Sequence, residues 1–247
     1  FKNRFYVPNN CVLSVCGDFD PVELKDLIVK YYGDWKRGVP YTPQIETEPP
    51  QEHEWVQNYV WKDAQTVPLL QLAWHTGAAG YDLQRLAALQ LLSDMLCSRS
   101  GRLTNLLKND LAWVESISAD AQMMKDPGLF VISARLSATA DLELVSDTIL
   151  TRLSNLQEMP VSAAELSRAR NNRRAQLLYR LERPAGIAGS LGYYQLLTGD
   201  WQGLLRLSDA YDAVTPEQLQ QIVAEVFTEN NRTVVTLAPK LAAGEGE

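Results

Sequence analysis

Two histidines, His53 and His75, and three cysteines, Cys11, Cys16 and Cys97, are all that this 247-residue sequence offers in imidazole or thiol ligands. Zinc and its neighbours take such side chains in closely held sets, and the composition argues against a metal centre carried by this chain. No C-x-x-C pair, H-E-x-x-H segment or inverted form of it occurs. G-x-S-x-G, the P-loop and G-x-G-x-x-G are also missing, which leaves serine nucleophiles, phosphate cradles and dinucleotide sites without a motif. His53, between Glu52 and Glu54, and His75 read as surface or sheet residues.

Positive charge is also in short supply. Lys plus Arg number 23 against 30 Asp plus Glu, a net charge of −7, so a generally basic, nucleic-acid-binding surface is excluded. No apolar run approaches the roughly 20 residues that span a membrane. An initiator Met and the apolar core of a signal peptide are both absent from FKNRFYVPNN, and the sequence reads as an excised or processed piece. Cys11 and Cys16 fall on opposite faces of an apparent strand, which argues against a disulfide between them. All three cysteines are expected to be small core residues, and the compartment stays open between periplasm and cytosol.

What the sequence does have is length and apolar content, 46% of residues, enough to bury roughly 70% of the unfolded surface around one large core or two small ones. Val12 to Cys16 reads as a short strand. Asp20, Pro21 and Glu23 then form a helix start, and Leu24, Leu27, Ile28, Tyr31 and Tyr32 give that helix an apolar face. Pro40, Pro43, Pro49 and Pro50 mark a linker over 39–53. Strands are expected over 53–62 and 67–76, a buried helix over 81–97 and a second short one over 102–109. Strands over 112–125 and 129–137 join through Lys125-Asp126-Pro127-Gly128 as a hairpin. Leu142, Val145, Ile149, Leu153 and Leu156 predict a helix that Pro160 stops. The capping box Ser162-Ala163-Ala164-Glu165 opens a helix to about residue 182. Helices over 184–198 and 201–211, one opened by Thr215-Pro216-Glu217-Gln218, and a strand over 233–237 complete the chain. The expected fold is α+β, a mainly antiparallel sheet covered on one face by helices.

Two arginine features stand out. Arg170, Arg173, Arg174 and Arg180 share a sector of roughly 120° on the helix opened at Ser162. They read either as a local anion-attracting basic patch or as guanidinium stems lying over apolar surface and paired with carboxylates. On the strand over 129–137, Phe130, Ile132, Ala134 and Leu136 make one face, and Arg135 lies on the other, either facing a cavity or as an ordinary sheet arginine.

The segments Phe5-Tyr6-Val7-Pro8-Asn9-Asn10, Val12 to Pro21, and Tyr31-Tyr32-Gly33-Asp34-Trp35 together resemble the M16 metallopeptidase family, which includes insulinase, pitrilysin and mitochondrial processing peptidase. The resemblance continues through Ser98 to Leu103, Asp126 to Phe130, Val214 to Leu219 and Asn231 to Val235, covering most of the chain in the family's order. It implies a non-catalytic domain over 54–240, preceded by a βα segment over 1–38 that ends a catalytic-type domain and followed by a tail over 241–247. It further implies that no zinc binds here, the ligands being carried by an H-x-x-E-H motif in a homologous catalytic half. The partners implied are that half and a peptide substrate. Arg135 and Phe130 are the implied substrate-binding residues, because Leu129 stands where the family tends to place a substrate-holding Arg. A structural module like the core subunits of respiratory complex III is the alternative, and a bacterial periplasmic location follows from related proteins, with the cytoplasm as alternative.

Overall fold

A computed structural model of the protein describes residues 1–40, 44, 46, 48–62, 66–78, 82–159 and 161–239. The expected stop at Pro160 and the tail over 241–247 lie outside the described residues. Two compact units are present: Phe1–Pro49 with Ala175–Leu205, and Pro50–Arg174 with Arg206–Glu247. One division falls in the Pro-rich stretch and two more fall inside helices, so residues 175–205 group with the first 49.

The larger unit holds one five-stranded sheet. Its strands are β1 (Trp55–Trp61), β2 (Leu69–Ala78), β3 (Val114–Ala121), β4 (Pro127–Leu136) and β5 (Arg232–Pro239), in the order β1-β5-β2-β4-β3. All neighbours are antiparallel except β1 and β5, which run parallel. Alternation sets the register: Leu72 stands opposite both Ile132 and Val234, and this row points to the core. The hairpin between β3 and β4 forms as expected, with the Gln122 amide donating to the Leu129 carbonyl at 2.9 Å.

Helix α3 (Leu83–Cys97) is buried nearly all round, as its Leu and Ala on every side require. Helix α4 (Leu142–Glu158) buries Val145, Ile149, Leu153 and Leu156, the expected stripe. Helix α5 (Ala163–Leu181) begins at the Ser162–Glu165 capping box, the Ser162 amide donating to Glu165 Oε2 at 3.0 Å. α6 (Pro184–Thr198) closes at Gly199, whose φ of 76° favours glycine. α7 (Gly203–Ala213) starts two residues later than expected, and α8 (Pro216–Val226) carries a full Thr215–Gln218 capping box. α3, α4 and α8 cover one face of the sheet.

Three local expectations are corrected. Val12–Cys16 is not a strand, because no strand edge among the described residues pairs with it. The short helix after Gly101 becomes a π-helical turn over Thr104–Asp110, closed by the Trp113 amide on the Leu107 carbonyl at 2.8 Å. The strand over 112–125 is confined to Val114–Ala121, since Ala112 takes a left-handed φ of 52°. Near the N-terminus lie a short helix α1 (Lys2–Phe5) and helix α2 (Pro21–Tyr32), the latter capped by Asp20, which accepts from the Val22 and Glu23 amides at 2.7 and 3.0 Å.

Ile132 is 1% exposed at the centre of the covered face. Ile132→Ala is expected to cost about 2–5 kcal/mol in urea denaturation, whereas the same change at neighbouring Val131, half-buried on the other face, costs far less.

Candidate functional site

Strand alternation splits β4 into two populations. Phe130, Ile132, Ala134 and Leu136 are buried under the helices, and Leu129, Val131, Ser133 and Arg135 lie on the opposite face. With Leu69, Gln71, Ala73 and His75 of β2 and Thr233, Val235 and Leu237 of β5, they form a surface on which no side chain is buried. Its rows mix apolar and polar side chains: Ala73, Val131 and Thr233, then Gln71, Ser133 and Val235, then Leu69, Arg135 and Leu237. Gln71 Nε2 donates to Ser133 Oγ at 3.2 Å.

Arg135 Nε donates to Glu115 Oε2 at 2.6 Å, and both side chains are about half exposed. The guanidinium is therefore neutralised by a neighbour on β3, a surface pair worth about 0–1 kcal/mol. Phe130 corrects the expectation attached to it. It is 0% exposed and packs edge-on against Phe227 at 5.0 Å, with Trp74 also edge-on to Phe227 at 4.9 Å. Residues 130 and 135 differ in parity along one strand, so they cannot share a face.

The arginines of α5 do not form a patch. Arg173 Nη2 donates to Asp94 Oδ1 at 2.8 Å, to the Gln90 carbonyl at 2.8 Å and to Ser93 Oγ at 3.1 Å. Its Nε stands 2.7 Å from Asp94 Oδ2 without hydrogen-bond alignment. Burial pushes the Asp94 carboxyl up, and Arg173 pulls it back part of the way. Arg170 donates to the Tyr211 carbonyl at 2.9 Å and to the Val214 carbonyl, and Arg174 pairs with Asp212 at 2.6 Å. Arg180 is exposed and belongs to the other compact unit. The helical sector is as expected, but the groups it meets on α3 and α7 turn it into a structural clamp.

One pair escapes sequence reading. Arg102 grips Glu165 with two hydrogen bonds of 2.7 and 2.8 Å, joining the start of the π-helical segment to the cap of α5. Held by Arg102 and Ser162, the Glu165 carboxyl drops to about 2. No spacing links residues 63 apart in sequence.

For a metal the donor set does not fit. His53 is exposed before β1, His75 sits half-buried within β2, and among the described residues no three His, Cys, Asp or Glu converge. Cys97 is half-buried and burial pushes its thiol up to about 12, an inert thiol. Cys11 is exposed, which corrects the core reading for that residue, because the strand meant to bury it has no sheet.

The family model described as the peptidase M16 inactive domain matches residues 1–173. The chain belongs to that family. Zinc protease PqqE of Helicobacter pylori is 24% identical over 97% of this chain, which covers 54% of that protein. Among solved structures, a protease from Helicobacter pylori aligns over 91% of this chain and 54% of its own at 22% identity, TM-score 0.82. A peptidase M16 inactive domain from Pseudomonas fluorescens aligns over 92% and 53% at 15% identity, TM-score 0.74. The same fold recurs in complex III2 from Candida albicans (90% and 53%, 18% identity, TM-score 0.68) and in the periplasmic protease PqqL from Escherichia coli (91% and 25%, 15% identity, TM-score 0.67). The chain thus spans about half the length of the curated relatives it matches.

Removing Arg173 strands a buried carboxylate. Arg173→Ala is expected to cost about 3–5 kcal/mol in chemical denaturation, and Arg174→Ala, at a half-exposed pair, under about 1 kcal/mol. Glu165 supplies a pH signature. Its folded value near 2 lies below the ordinary 4.5, so its contribution is complete above about pH 4.5 and is lost as pH falls to about 2. Glu165→Gln should cost about 1–3 kcal/mol at pH 7 and flatten that acid limb in denaturation measured at stepped pH.

Proposed function

We propose that this chain is the non-catalytic half of a zinc-dependent metalloendopeptidase. In this reading the open face of its sheet forms the far wall of a peptide chamber closed by a homologous catalytic half. The observation that carries it is the second sheet face: among the described residues of the larger unit α3 and α8 pack on one side, and on the other Leu69, Ala73, Val131, Val235 and Leu237 lie half-buried or exposed beside Arg135 and Gln71. A surface of that kind suits an extended peptide, which has an apolar and a polar edge at every second residue. Zinc held by the catalytic half would polarise the scissile carbonyl and activate the attacking water.

The work of this chain is then positional. Its wall excludes water and limits the orientations open to the peptide, while Arg135, tethered by Glu115, offers its remaining N–H groups to a carbonyl or carboxylate. The sheet edge at β3 offers unpaired backbone groups for strand addition. A periplasmic location is supported by the likeness to PqqL; among the described residues no helix is long and apolar enough to cross a membrane. The likeness to complex III2 supports a second reading, a structural module without peptidase activity.

The test is cleavage of quenched fluorescent peptides by the full-length protein loaded with zinc. The 247-residue chain alone should be inactive. Val131→Asp, which places a charge in the middle of the open face, should lower kcat/KM at least about 10-fold, equivalent to about 1.4 kcal/mol, with zinc content unchanged. Undiminished cleavage by that variant sinks the wall reading. A full-length protein that neither holds zinc nor cleaves peptide favours the structural module.

A further inference from the structure

A cavity of about 320 Å³ opens on the helix-covered side of the larger unit, lined by residues of α4, β2, β5 and the C-terminal end of α8. Its size is at the small end of the roughly 300–1,000 Å³ that ligand sites occupy. The face of the sheet on which the peptidase reading rests lies on the other side, and this cavity has no part in it.

Trp74 lines the cavity, is 1% exposed, and meets Phe227 edge-on at 4.9 Å. Its indole Nε1–H is buried and has no hydrogen-bond acceptor among the described residues. An N–H buried and left unpaired costs about 1–3 kcal/mol, so native structures keep few of them. Directly opposite Trp74 in the β2–β5 register stands Arg232, which lines the same cavity. Opposed residues of an antiparallel pair carry their Cβ atoms about 4.5–5.5 Å apart on one face, so the indole and the guanidinium are neighbours. Arg232 gives its Nε–H to Glu54, which leaves its Nη N–H groups for a further acceptor.

Helix α4 supplies the rim. Thr151, Ser154 and Gln157 recur every third residue along one flank and bring two hydroxyls and an amide. Leu150, Leu153 and Phe227 add apolar surface, and no carboxylate is among the lining residues. Two unsatisfied N–H donors side by side, with apolar surface beside them, call for an occupant that brings two acceptor oxygens on an apolar body.

We propose that this cavity binds a small carboxylate with an apolar body, one oxygen accepting from Trp74 Nε1 and the other from the Arg232 guanidinium. The body lies against Leu150, Leu153 and Phe227. The C-terminal residue of a peptide and a free apolar carboxylic acid share this chemistry. Because Glu54 already balances the charge of Arg232, the ligand is held by charge-assisted hydrogen bonds and not by excess positive charge, which favours a monoanion over a phosphate. The proposal does not depend on the peptidase reading.

Nitrogen–proton correlation NMR of the 247-residue chain tests it, with the Trp74 indole signal assigned through Trp74→Phe. The probes are N-acetyl-phenylalanine, a short peptide ending in phenylalanine, and the amidated form of each. At least one of the two acids should shift the Trp74 signal with a Kd below about 1 mM, and its amide should bind at least about 10-fold more weakly. Ser154→Phe, at an exposed position of α4, fills the cavity and should weaken binding at least about 10-fold without moving the thermal midpoint. Arg232→Lys keeps a cation beside Glu54 but loses the fork, and should weaken it comparably. Binding of the peptide alone supports the proposal with peptide termini as the source, and binding of N-acetyl-phenylalanine alone supports it with free acids as the source. No shift with any probe at about 10 mM, equal binding of acid and amide, or binding that survives Ser154→Phe overturns it.

Discussion

A five-stranded sheet has two faces, and among the described residues of the larger unit α3, α4 and α8 cover one of them. The row Leu72, Ile132 and Val234, with Trp74, Phe130 and Phe227 stacked edge-on beyond it, anchors α3 and α8 to that face. Everything else in the larger unit follows from this burial. It fixes the register, because a slip of one residue would turn the apolar row into solvent. It decides which residues of β4 are core and which are surface, and so which can meet a ligand. It also gives α5 a surface to lie against, where the carboxylates of Asp94 and Asp212 and the carbonyls of Gln90, Tyr211 and Val214 accept from its arginines.

That burial also explains what could be read without a structure. The stripe of α4, the caps of α5 and α8, the hairpin at Asp126-Pro127-Gly128 and the all-round burial of α3 were legible because each is a local pattern with a local cause. The parallel pairing of β1 with β5 was not, since nothing near Trp55 announces a partner at Thr233. The Arg102–Glu165 pair was illegible for the same reason. Val12–Cys16 is the opposite case: the strand propensity is real, but a strand exists only where another edge accepts it, and propensity says nothing about that.

The candidate site was half legible. Arg135 was placed on the correct face by parity, and parity applied to Phe130 would have put it in the core. The basic sector on α5 was correctly located on the helix, and its chemistry was misjudged in one of its two readings, because a helical wheel records angle and not neighbours. Arg173 and Arg174 are consecutive in sequence and about 100° apart on that wheel, and they differ greatly in role, one holding a buried carboxylate and the other a half-exposed one. An acidic protein with an arginine-rich helix has spent that charge internally, and its −7 balance describes the surface better than the helix does.

The parallel contact between β1 and β5 has a bearing on how the molecule is made. Glu54 and Arg232, paired at the entry to these two strands, are 178 residues apart in sequence. Among the described strands the partner of β1 is β5, which lies beyond all the helices α3 to α8 in sequence. On a ribosome, Trp55–Trp61 therefore emerges well before β5 and waits for that partner through the synthesis of α3 to α8, three of its seven residues aromatic. Such a strand is an aggregation hazard for as long as it waits. The sheet closes only when β5 arrives between β1 and β2, so the loop closure of highest entropic cost comes last. Its synthesis exposes the chain to misassembly, and a chaperone bound to the β1 edge would meet it in that interval.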